Sequence, residues 1–156
     1  MENFLAFQAG QLAAAEQKTL ACNELSERYG LRLTEAQAHM LALGREKALR
    51  DTGRVEFGPG VLPRLIYAFC DSPYLTRENY AQTLAELQDS FYYFKNESEE
   101  RISDDELIDL MKEAFDGFGQ GALESIATLD ELCRAARNGE PMRANPWRRA
   151  DEDGEL

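Results

Sequence analysis

The residues able to do chemistry crowd into one stretch, RVEFGPGVLPRLIYAFCDSPY, running from Arg54 to Tyr74. Arg54, Glu56, Cys70, Asp71 and Tyr74 bring a guanidinium, two carboxyls, a thiol and a phenol into that span. A thiol nucleophile needs a base to take its proton. The sole histidine, His39, is the one imidazole available to Cys70. Asp71 beside the thiol disfavours the thiolate, because a reactive cysteine wants positive neighbours and exposure. Cys70 also falls four residues after Ile66, on the face shared by Leu62, Leu65 and Phe69. There it is expected to serve as a small apolar residue. A carboxylate acid–base centre on Glu56 competes with a plainer role, an ion pair with Arg54 that ties the loop to a helix end. Gly58-Pro59-Gly60 reads as a turn feeding a helix. It lacks the G-x-x-x-x-G-K-[ST] order and the preceding strand of a phosphate loop. The stretch is therefore either a tightly built corner or the wall of a small-ligand pocket, with Arg54, Glu56, Cys70, Asp71 and Tyr74 as its candidate lining.

Metal chemistry finds little support. Cys22, Cys70 and Cys133 are widely spaced and form no C-x-x-C pair, and one histidine does not make a histidine-rich site. Asp116 could open a calcium loop with Gly121 at its sixth position. Phe118, Gln120 and Ala127 then occupy places where such a loop needs oxygen ligands. Asp104, Asp105 and Glu106 are better explained as first-turn acids facing a helix macrodipole. No catalytic residue, cofactor or metal is assigned from these patterns.

The aromatic run Phe91-Tyr92-Tyr93-Phe94 covers more than one helix face. Phe91 and Phe94 continue the stripe of Tyr80, Leu84 and Leu87. Tyr92 and Tyr93 point elsewhere, into a second layer of core or onto a partner surface, and tyrosine suits both. Trp147, in the charged C-terminal stretch, joins them as a candidate contact residue.

Helices must position all of these groups. Thr34 with Gln37, Thr76 with its Leu75–Tyr80 staple, Ser103 with Glu106 and Thr128 with Glu131 each have the form of a helix start. Gly30, Gly53, Asn96 and Gly139 supply stops. The spacing predicts helices over 11–29, 35–51, 61–70, 77–95, 104–116 and 129–137, with a helical turn near 121–126. Leu107, Met111, Ala114 and Phe118 mark the buried face of the fifth. Strand alternation is missing apart from a hint at Val55 and Phe57. The expected fold is all-α: a compact bundle of five or six helices over 1–139, followed by a flexible tail at 140–156.

At 156 residues one domain is expected, with a real core. The net charge of −12 repels nucleic acid backbones and anionic membranes. Glu2 stands where a signal peptide carries positive charge, and isolated cysteines suit a reducing compartment, so a cytoplasmic protein is expected.

ACNELSERYGLRLT, RVEFGPG, LIYAFCDSPY, FYYFKNE, DDELIDLMKEAFD and QGALE, in that order, resemble segments of a small bacterial family classed as a domain of unknown function. The resemblance covers Leu20 to Arg137. It implies no activity, substrate or catalytic residue. The family pattern places a cysteine before the Gln-Gly pair, where this chain has Gly119. The leading expectation is a non-catalytic protein-interaction or accessory protein with a protein partner, a homodimer included. The alternative is a small-ligand binder or enzyme using the 54–74 corner.

Overall fold

The computed structural model describes residues 2–139, with side chains described from residue 9. The chain is all-α, and no strand occurs among the described residues. Its helices are α1 (Glu2–Ala21), the short α2 (Asn23–Ser26), α3 (Glu35–Thr52), α4 (Leu62–Phe69), α5 (Tyr80–Glu97), α6 (Asp104–Asp116) and α7 (Leu129–Arg137). Two 3-10 turns, Glu27–Tyr29 and Leu123–Thr128, complete them. None of the described helices is long and apolar enough to cross a membrane. The tail expected from residue 140 lies outside the described residues.

The chain divides into two compact units, Met1–Tyr92 and Tyr93–Leu156, so the boundary falls inside α5. In the first unit α1 packs on α2, α3 and α4, and α2 packs on α4. Leu33, Ala38, Leu65, Ile66, Phe69, Tyr80, Leu84, Leu87 and Phe91 form its core. The stripe on α5 is thus buried as its four-three spacing requires. In the second unit α6 and α7 both pack on the 3-10 turn Leu123–Thr128, around Leu107, Met111, Phe115, Ile126 and Leu129.

Several helix ends follow from local chemistry. Thr34 Oγ1 accepts from Gln37 N while Gln37 Oε1 accepts from Thr34 N, a complete capping box. Ser103 Oγ accepts from Glu106 N at the start of α6. Gly30 and Gly53 close their helical segments in the left-handed region.

Other ends differ from the sequence reading. The helix expected over 11–29 is broken at Cys22. Asn23 there grips the chain ten residues on: its Nδ2 donates to Leu33 O at 2.9 Å and its Oδ1 accepts from Leu33 N at 2.8 Å. Ser26 Oγ donates to Leu31 O, so the break orients two polar side chains onto the return strand of backbone. Thr76 exchanges hydrogen bonds with Asn79 across a turn, and α5 starts only at Tyr80. Thr128 caps nothing. It has helical dihedrals, and its hydroxyl donates back to Ser125 O, because the preceding 3-10 turn runs directly into α7. Asn96 does not stop α5, which runs to Glu97. The turn is made by Glu99 and Glu100 at φ 51° and 63°. Phe115 replaces Phe118 in the core, since α6 ends at Asp116 and Phe118 is exposed.

Candidate functional site

Residues 54–57 link α3 to the Gly58-Pro59-Gly60 turn without helix or strand pairing. Their side chains alternate, but in the reverse of the usual sense. Arg54 and Glu56 turn inward, with side chains 16 % and 12 % exposed. Val55 and Phe57 turn outward, at 78 % and 79 % exposed. Neither Val55 nor Phe57 makes a backbone hydrogen bond to a described residue.

Glu56 is the hub of the inward side. Its Oε1 accepts from Arg45 Nε at 2.9 Å and from Tyr92 OH at 2.6 Å, and its Oε2 accepts from Arg54 Nε at 3.1 Å. Arg45 comes from α3, Tyr92 from α5, and both are almost wholly buried. The Arg54 guanidinium lies 5.9 Å from the ring centroids of Phe91 and Tyr92, within cation–π range. Burial, then the bond to the Glu56 carboxylate, pushes the Tyr92 phenol well above its ordinary range. The phenol therefore stays a hydrogen-bond donor. Gly60 sits against the network at φ 81°, and a Cβ there would overlap the Arg45 and Glu56 side chains.

Of the five residues proposed from sequence for a pocket, the structure brings Arg54 and Glu56 together. Cys70 is buried just past the end of α4. Asp71 is exposed, and Tyr74 is half-buried in a turn, its N donating to Ser72 Oγ. His39 lies 2.5 Å from Glu16 and is not paired with Cys70. The partner surface also changes. Tyr92 is 1 % exposed, because its hydroxyl is consumed by Glu56, so it presents no surface. Tyr93 is half-exposed and donates to Asp130 Oδ1 at 3.2 Å. Trp147 lies outside the described residues. No group of three or more potential metal ligands occurs among the described residues.

Sequence reasoning missed Arg45. A signal was present: Ala38, Leu41, Ala42 and Arg45 share one helix face, so an arginine continues an apolar stripe. A cation at such a place needs a buried acid. Gly119 is also explained, since a Cβ there would strike Ser125 Oγ and the Ala114 carbonyl. The arrangement of that turn leaves no room for a cysteine.

Two open grooves lie in the first unit. One, of about 570 Å³, is lined by Gly10, Gln11, Ala14, Gln17 and Lys18 of α1 and by Gly58 and Pro59. The other, of about 350 Å³, lies between α3 and α5, with Met40, Leu41, Ala81 and Ala85 among its lining residues.

Residues 18–142 match the model of a family of unknown function, DUF6323. No curated protein and no solved structure matches the chain.

Proposed function

Because the chain belongs to the DUF6323 family, which brings no known activity with it, its function has to be read from its own geometry, and we propose that it is a non-catalytic protein-interaction protein that docks an extended segment of a partner protein along residues 54–57. One observation carries the reading: a segment outside the helices, alternating in exposure, buries its charged side chains and displays its apolar ones. Hydrophobic burial drives the opposite orientation. Arg45, Arg54, Glu56 and Tyr92 hold Val55 and Phe57 in water in a fixed geometry. Holding a contact residue in place beforehand reduces the ordering cost of binding.

The open backbone groups of Val55 and Phe57 suit strand addition, in which main-chain hydrogen bonds supply affinity and alternate side chains supply selectivity. The partner segment is expected to be apolar at alternate positions and flanked by basic residues, since the chain carries a net charge of −12. The same charge opposes pairing with a second copy.

The test is a photocrosslinking residue at position 57 in the native cells, with position 67, equally exposed on α4, as control. A partner captured only from position 57 should have a segment that binds the purified protein and slows amide exchange at residues 55–57. Val55→Ser with Phe57→Ser should abolish that binding and leave the denaturation midpoint unchanged. Equal capture from both positions, capture of the protein's own copies, or binding indifferent to the double substitution would defeat the reading.

A further inference from the structure

The larger groove has a composition unlike that of an ordinary surface depression. Gly10 and Ala14, one turn apart on α1, line it together with Gly58 and Pro59 of the following turn region. Its volume of about 570 Å³ falls in the range of small-molecule sites, roughly 300–1,000 Å³. Among the described lining residues, Gln11, Gln17 and Lys18 bring polar side chains to it.

Two features single it out. Gly10 is exposed within a twenty-residue helix, where glycine is less stable than alanine by about 0.5–1 kcal/mol. No packing among the described residues requires it, since a Cβ at position 10 would meet none of them within 4 Å. Glycine there leaves that part of the groove lining without a side chain. Lys18 is the one charged side chain among the described lining residues, and it forms no ion pair with any described residue. The chain is strongly acidic, and other described lysines have acidic partners: Lys47 pairs with Asp51, Lys95 with Asp104 and Lys112 with Asp116.

We propose that this groove binds a single-chain carboxylate amphiphile, with its hydrocarbon over Gly10, Ala14, Gly58 and Pro59 and its carboxylate at Lys18. Small apolar walls suit a chain that needs volume and makes no directed contacts. One cation at the rim fixes which end lies outward, and the Gln11 and Gln17 amides can donate to the same head group. The site is independent of the strand-addition reading, because Val55 and Phe57 are not among its lining residues.

Isothermal titration of the full chain with sodium decanoate, decanol and decyltrimethylammonium tests this. Decanoate should bind saturably below its micelle concentration, with the ammonium amphiphile clearly weaker. Gly10→Leu, which favours the helix while filling that part of the lining, should weaken decanoate by about tenfold or more and keep the helical circular dichroism. Lys18→Gln should weaken decanoate about threefold, as expected of a solvent-exposed pair, and leave decanol unchanged. The proposal is overturned by absence of saturable decanoate binding, by unaltered affinity in Gly10→Leu, or by preference for the cationic amphiphile. A concentration-dependent dimer abolished by Gly10→Leu would assign the groove to a second copy and would equally overturn it.

Discussion

Arg45 Nε and Glu56 Oε1 lie 2.9 Å apart, with side chains 4 % and 12 % exposed. Eleven residues separate them in sequence, and the pair fastens the 54–57 segment to α3. Removing one member of such a pair leaves the other charge in a dry place, typically at a loss of about 3–5 kcal/mol. Glu56→Gln is therefore expected to lower unfolding free energy by about 3 kcal/mol in urea denaturation. Tyr92→Phe removes one hydrogen bond to a charged acceptor and should lower it by about 1.5–3 kcal/mol. The two losses should not add in the double variant, because both act through the same carboxylate oxygen. Additivity would mean that Glu56 does not couple them.

Gly58 and Gly60 both have φ 81°, so alanine is strained at either. Their surroundings differ. A Cβ at Gly58 meets nothing within 4 Å, whereas at Gly60 it overlaps Arg45 and Glu56. Gly60→Ala should thus destabilise more than Gly58→Ala, by about a further 1–3 kcal/mol, the usual penalty of overpacking. Equal midpoints for the two variants would show that the ion pair yields freely.

Helix starts at Thr34 and Ser103 were legible in the sequence because their hydrogen bonds span three residues. The α5 stripe was legible because its period is set by the helix itself. Thr128 misled, since a cap needs extended dihedrals and the 3-10 turn before it supplies helical ones. The fourfold contact of Glu56, Arg45, Arg54 and Tyr92 was only half visible. Arg54 and Glu56 are neighbours but one in sequence, whereas Tyr92 arrives from 36 positions away. Such pairing is decided by tertiary packing. The alternation of Val55 and Phe57 hints at a strand, but alternation alone does not give which face is buried.

Glu99 occupies the left-handed region at φ 51°, and its side chain is exposed without a partner among the described residues. A non-glycine residue there is disfavoured by roughly 1–2 kcal/mol. Glycine relieves this but loses part of the gain to the greater entropy of the unfolded chain. Glu99→Gly is expected to stabilise by about 0.5 kcal/mol, read as a higher urea midpoint. Glu100→Gly should gain less, because Glu100 also lies 3.5 Å from the buried Lys95. The opposite order would place the strain at residue 100.

Alkali should act on the first unit through its buried phenols. Burial pushes Tyr80 up from 10.0 to about 12 and raises Tyr92 further in the same direction. A folded-state pKa above the unfolded one means that the folded state holds its proton more tightly. The associated stability is fully present below pH 10 and is lost as pH climbs through the folded value, between about 10 and 12 for Tyr80. Urea midpoints should therefore stay level up to about pH 9.5 and fall steeply above it. Tyr80→Phe should flatten part of that fall with little constant loss, since its buried hydroxyl has no hydrogen-bond partner among the described residues, and Tyr92→Phe another part on top of the loss of its bond to Glu56. Absorbance titration should show the half-exposed Tyr93, also raised and hydrogen-bonded to Asp130, ionising without unfolding. Ionisation of all tyrosines in one step near pH 10, with the fold retained, would mean that Tyr80 and Tyr92 are reached by solvent and that the Glu56 network is open.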